Sequence, residues 1–92
     1  MITSCIAFYP CLDLSATEAF YTQVIGLRTV FASDTVRIFY ANGGSFGFVA
    51  YGDGEIPHRH LCLSLNCTNR ADVDAEYRRI LALGVQPQSI PA

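Results

Sequence analysis

The sequence predicts an α+β fold: a βαβββ module followed by the start of a second module, β then α. A strand-turn-helix pattern occurs twice, at about 5–26 and about 60–84. About 35 residues of strand-like sequence follow the first copy, and eight residues follow the second. A repeated unit usually buries its core against its own copy, so the short second copy is expected to leave the structure incomplete.

The first copy begins with a strongly apolar segment at 5–12, which is typical of a strand buried on both faces. A helix is expected from Ser15 to Ile25. Ser15 and Glu18 have the spacing of a capping box, in which each side chain satisfies a backbone amide of the other. Gly26 is expected to end the helix, because glycine tolerates the positive φ of a C-cap.

Three strands are expected next, since β-branched and aromatic residues are frequent there. Asn42-Gly43-Gly44 is a hairpin turn signal. The predicted strands are 28–33, 35–41 and 45–51.

The second copy is expected to contain a strand at 59–65 and a helix from about Asn69 to Leu83. Asn69 is the predicted N-cap, and Gly84 is expected to end the helix. We therefore predict a single domain, residues 1–92, with a first module at 1–57 and the start of a second at 58–92.

The composition favours some classes of function and argues against others. The chain has 92 residues, 51% of them hydrophobic and 15% charged, which indicates a folded protein with apolar surface to cover. Such surface favours a ligand pocket or a homodimer interface. A net charge of −2 argues against nucleic-acid binding. No apolar run approaches the roughly 20 residues of a membrane span. The N-terminus lacks a basic signal-peptide region and the four cysteines form no C-x-x-C pair, so a cytoplasmic protein with reduced thiols is expected.

Several short motifs resemble the glyoxalase / bleomycin-resistance / extradiol-dioxygenase superfamily, also called vicinal oxygen chelate proteins. The motifs are Asp13-Leu14, Phe20-Tyr21, Gly26-Leu27, the segment 60–65 and the helix end 81–85. The resemblance implies paired βαβββ modules whose curved mixed sheet forms a cup around a small-molecule site, with the helices on the outer face. This chain departs from that pattern in length, because the three closing strands of the second module are absent. We expect it to be a fragment, the product of a truncated gene, or a chain whose cup is completed by a partner chain.

The family's metal-dependent members bind a divalent ion through His and Glu ligands. The resemblance places the first ligand position on Ile6, which cannot ligate, and the second within 41–50, which contains no His, Asp, Glu or Cys. The third position falls on His60, and the fourth would lie in the missing strands. We therefore expect no metal and no other cofactor. His58 with His60, joined by Asp53 or Glu55, is a weaker candidate for a divalent metal site.

Period-two alternation places Ile6, Phe8 and Pro10 on one face of the first strand, as a pocket wall or as plain core. Ala7, Tyr9 and Cys11 would then face the helix. Arg37 and Arg59 could pair with an anionic ligand group or remain solvated. The predicted pocket-lining residues are Ile6, Phe8, Tyr40, Tyr51, His60, Cys62 and Ser64.

Three functional hypotheses follow. The first is a metal-free protein that binds a small, partly apolar molecule in the cup. The second is a metal-dependent lyase, isomerase or dioxygenase, with His60 as one ligand and the others from a partner chain or missing residues. The third is a truncated product with only an oligomeric role.

Overall fold

Residues 1–50 and 63–86 are described by the computed structural model. The chain divides into two units, Met1–Cys62 and Leu63–Ala92. In the first unit the strands are β1 (Ile6–Pro10), β2 (Arg28–Ala32), β3 (Val36–Ala41) and β4 (Gly44–Val49). Helix α1 (Leu14–Ala19) continues into a π-helical turn, Phe20–Val24. The second unit contains helix α2 (Arg70–Ala82).

The four strands form one curved, unclosed sheet in the order β1-β4-β3-β2. β1 runs parallel to β4, whereas the β2–β3 and β3–β4 pairs are antiparallel. The α+β class and the βαβββ order are therefore confirmed. The hairpin is also confirmed: Ala41 pairs with Gly44, and Gly43 has the positive φ that the tight turn between them requires.

The start of α1 differs from the expected capping box. The N-cap is Asp13, whose Oδ1 accepts from the backbone N–H of Ala16 at 3.0 Å. Ser15 lies inside the first turn instead. The reason is that Asp13 already satisfies the amide a cap must reach, which leaves Glu18 free to point at the sheet.

The π-helical turn carries Tyr21 onto the sheet. The N–H of Ile25 donates to the carbonyl of Phe20, a five-residue step that widens the turn, and Gly26 with φ 91° ends the helix as predicted. The Tyr21 ring stacks on Phe39 at 5.4 Å and on Phe48 at 5.1 Å, between ring centroids. Burial raises the pKa of the Tyr21 phenol, with a smaller contribution from Tyr9.

The face of the sheet that packs against α1 is aromatic. Phe39 is fully buried, and Phe46 and Phe48 are nearly so. Tyr9 lies 5.8 Å from Phe48, which agrees with the expectation that Tyr9 faces the helix. The core of the first unit is therefore formed by aromatic rings, which bury large areas per residue.

The second unit confirms the predicted helix. The Asn69 side chain accepts from the N–H of Asp72 at 2.9 Å, and Gly84 has a φ of 90° just beyond the helix end. Residues 63–65, the end of the predicted strand 59–65, are not in a strand, because no described strand pairs with their backbone. The remainder of that predicted strand lies outside the described residues. Within 1–50 and 63–86, neither helix has the length and apolarity to cross a bilayer.

Glu18 ties α1 to two strands. Its Oε2 accepts from the Thr29 hydroxyl at 2.8 Å, and its Oε1 accepts from Arg37 Nε at 3.0 Å. Both hydrogen bonds lower the pKa of the Glu18 carboxyl below its usual 4.5, and the bond from Thr29 has the larger effect. Arg37 also donates to the backbone carbonyls of Ser33 and Val36. The ionised carboxylate thus fixes the helix against β2 and β3.

We expect the stability of the protein to depend on Glu18 in a pH-dependent manner. The pKa is lower in the folded state, so the contribution is fully present above the unfolded pKa and is lost as pH falls through the folded pKa. Glu18→Gln should lower the free energy of unfolding by about 1 kcal/mol at neutral pH, since about a third of the side chain is exposed. Urea unfolding at several pH values measures this difference.

Glu76→Gln is the matched control, because Glu76 pairs with Arg79 on the surface of α2. It should change the free energy of unfolding by less than about 0.5 kcal/mol. If the difference between wild type and Glu18→Gln were the same well below pH 4.5 as at pH 7, the proposed role of the carboxylate would be wrong.

Candidate functional site

The sheet face opposite α1, called here the open face, is formed by three rows of residues across the strands. The strand registers define these rows. Exposed fractions of 42% for Ile6, 48% for Phe8 and 52% for Phe31 show that large apolar side chains reach the surface there. In strand order β1-β4-β3-β2, the rows are Ile6, Ser45, Tyr40 and Arg28; Phe8, Gly47, Ile38 and Phe31; and Pro10, Val49 and Val36.

The Phe8 ring lies close over Gly47 because β4 has no side chain at that position. A Cβ placed on Gly47 would lie 2.7 and 2.8 Å from two ring carbons of Phe8, and 2.9 Å from the backbone oxygen of Arg37. Gly47 is buried, whereas Phe8 is half exposed. The glycine thus provides the depression in which the ring lies, and the outer surface of the ring remains accessible.

A β-bulge in β2 brings Phe31 to the open face. Thr29 pairs with Phe39, but Phe31 pairs with Ile38, so β2 advances two residues where β3 advances one. Simple alternation would place Phe31 on the same face as Thr29, toward α1. The bulge at Val30 reverses that orientation, as bulges do. Sequence reasoning therefore missed Phe31.

Arg28 is the second residue that sequence reasoning missed. It pairs with Tyr40 in the strand register, and its Cζ lies over the Tyr40 ring, 5.4 Å from the centroid. This is a cation–π contact. The sequence holds no signal for this pair, because the bulge between Thr29 and Phe31 shifts the register by one residue. The prediction for Arg37 is corrected, because Arg37 lies on the helix-packed face and pairs with Glu18.

The other predicted site residues divide into three groups. Ser64 is exposed in the second unit, and its hydroxyl lies 3.4 Å from Asn66 Oδ1. The structure brings Ile6, Phe8 and Tyr40 together on the open face. The predictions for seven further residues lie outside the described residues: Tyr51, Asp53, Glu55, His58, Arg59, His60 and Cys62.

The open face offers apolar contacts over most of its area. Polar side chains are confined to one row at its end. In the described part of the chain, no cluster of three or more His, Cys, Asp or Glu side chains is placed to hold a metal ion. Aromatic and aliphatic groups occupy two of the three rows. The remaining row adds a serine hydroxyl, a phenol and a guanidinium. The arrangement suits a small molecule with an apolar body.

Comparison with known proteins identifies the family. The model of the glyoxalase/bleomycin resistance protein/dioxygenase superfamily matches residues 6–92, so the chain belongs to this superfamily and the resemblance is confirmed. No curated protein sequence matches the chain significantly.

Solved structures share the fold. A glyoxalase/bleomycin resistance protein/dioxygenase from Nocardioides has a TM-score of 0.73 at 18% identity, covering 100% of this chain and 68% of that one. Protein ATC0852 from Agrobacterium tumefaciens has a TM-score of 0.71 at 24% identity, covering 100% and 80%. A bleomycin-binding protein complexed with bleomycin has a TM-score of 0.60 at 23% identity, covering 99% and 73%.

We expect Gly47→Ala to destabilise the protein by about 1–3 kcal/mol, because the methyl group would meet the Phe8 ring and an Arg37 backbone oxygen that cannot move freely. Gly44→Ala is the matched control in the same strand, where a Cβ meets nothing within 4 Å. Chemical denaturation of both variants measures the difference.

Adding Phe8→Ala to Gly47→Ala should restore part of the loss, since two of the three close contacts are with the Phe8 ring. Equal stability of the two glycine variants would show that the Phe8 ring does not occupy the depression over Gly47.

Proposed function

We propose that this chain is a small-molecule-binding protein that binds a small, partly apolar ligand against the open face. The observation that carries the proposal is the group of large apolar side chains left exposed there, namely Ile6, Phe8 and Phe31. Ligand sites are typically lined by apolar and aromatic side chains with a few polar groups beside them, and the open face has this composition.

The energetics support a ligand of modest size. A ring that removes about 100 Å² of apolar surface from water on this face gains about 2.5 kcal/mol. Stacking on Phe8 adds about 0.5–1.5 kcal/mol. Since association has its own entropic cost, affinities in the micromolar range are expected for compounds of two or three rings.

The family supports the same proposal. A bleomycin-binding protein of similar fold forms a complex with bleomycin. Because one fold hosts many functions, the exposed residues of this chain support the proposal more strongly than the fold does. The predicted homodimer, the cytoplasmic location and the division into modules at residue 57 stay predictions.

We expect Phe8→Ala to weaken ligand binding about 10-fold, because it removes the ring on which a ligand would stack. The measurement is an NMR titration of the 92-residue protein with bleomycin, 2-naphthamide and 2-naphthoate, following the amides of Phe8, Ile38 and Gly47.

Phe20→Ala is the matched control. Phe20 is 39% exposed but packs edge-to-face on Tyr21, on the helix side of the sheet. It should leave the dissociation constants unchanged. If no compound shifted amides of the open face, or if both variants weakened binding equally, the proposal would fail.

Metal content tests the metal-free form of the proposal. Elemental analysis after incubation with nickel, zinc, iron and manganese should find well under one ion per chain, because Ile6 stands where the resemblance places a first ligand. About one ion per chain or per dimer would favour the alternative, a metal-dependent lyase, isomerase or dioxygenase. His60→Ala would then be expected to abolish that metal binding.

A further inference from the structure

Charge is distributed unevenly over the sheet. The four strands contain two charged residues, Arg28 and Arg37, and both are cationic. Arg37 lies on the helix-packed face, where the Glu18 carboxylate compensates its charge at 3.0 Å. Arg28 is thus the single charged strand residue on the open face.

No carboxylate within residues 1–50 and 63–86 pairs with Arg28. Among these residues Arg28 contacts the Tyr40 ring, which attracts the cation but does not accept hydrogen bonds in the plane of the guanidinium. A guanidinium held in this way presents a fork of N–H donors that matches a carboxylate.

The neighbours of Arg28 make one end of the open face polar and the adjacent part apolar. Tyr40 is the neighbour of Arg28 in this row on β3, and Ser45 follows one strand further, on β4, so the row is polar from Arg28 to Ser45. The next row along the strands, which contains Phe8, Gly47 and Ile38, is wholly apolar. Adjacent rows on one face are about 6.6 Å apart, since a strand rises about 3.3 Å per residue. This separation is close to the width of an aromatic ring.

We propose that the ligand of the open face is an aromatic carboxylate, whose rings lie over the Phe8 ring and Ile38 and whose carboxylate is bound by Arg28. This inference rests on the proposed function and names its ligand class. A cationic ligand group would find no carboxylate on these strands and would be repelled by Arg28. A neutral ligand would bring no anion to the guanidinium, which pairs with no carboxylate of residues 1–50 and 63–86.

The test compares 2-naphthoate with 2-naphthamide, two compounds of the same ring system that differ in charge. Isothermal titration calorimetry on the 92-residue protein should show tighter binding of the carboxylate by about 10-fold. Arg28→Gln should remove this preference and leave the affinity for 2-naphthamide nearly unchanged. Arg28→Lys, which keeps the charge but not the fork, should retain part of it.

Arg78→Gln is the matched control, because Arg78 is exposed on α2 and its loss changes the net charge equally. It should preserve the preference for 2-naphthoate. Circular dichroism of each variant confirms that it folds. NMR shifts caused by 2-naphthoate should include the amides of Arg28 and Tyr40 as well as Gly47.

The outcomes separate the two proposals. If both compounds bound the open face with equal affinity, or if Arg28→Gln and Arg78→Gln had the same effect, the carboxylate inference would be overturned and the binding function would stand. If neither these compounds nor bleomycin bound the open face, both proposals would be overturned.

Discussion

The contact between Tyr21 and the buried Phe39 ring is the interaction on which the rest of the first unit depends. It joins the π-helical turn to the centre of the sheet and decides which face becomes the core. Removing a buried Phe side chain typically costs about 3–5 kcal/mol, a large share of the stability of a domain this small. Because period-two alternation couples the two faces, burying Phe39, Phe46 and Phe48 necessarily turns Ile38, Tyr40 and Gly47 outward.

Two local irregularities then give the outward face its character. The bulge at Val30 adds Phe31 to a row that already contains Phe8 and Ile38. Gly47 lets the Phe8 ring lie against the sheet. Neither feature increases the stability of a regular sheet, since a glycine inside a strand and a bulge both weaken it. Both do shape a surface on which a flat molecule can lie.

The two arginines of the sheet, Arg37 and Arg28, lie on opposite faces and have different partners. Arg37 is part of the scaffold, because Glu18 binds it and thereby fixes α1 to the sheet. Arg28 lies over an aromatic ring on the other face, where a ligand can reach it. In a chain of net charge −2, this one cation gives the open face a local charge opposite to that of the protein as a whole. Membership of the superfamily is compatible with many ligands, so the choice among them depends on such residues.

Local sequence patterns were enough to predict the βαβββ order of the first unit, the α2 N-cap at Asn69, the helix-ending glycines and the hairpin at Asn42-Gly43. These features follow from hydrogen bonds and backbone preferences within a few residues, which a sequence displays directly. The sequence also placed Ile6, Phe8 and Tyr9 on their correct faces, because β1 is regular and alternation holds.

Three contacts between distant parts of the chain could not be predicted and became known from the folded structure. Glu18 bonds Thr29 and Arg37, which are 11 and 19 residues away in sequence, in place of the local capping box. The bulge that turns Phe31 outward is a property of how β2 pairs with β3, and the Arg28–Tyr40 contact depends on the same register. Such contacts are selected by the packing of distant segments against one another, and no local pattern in a single sequence encodes that packing.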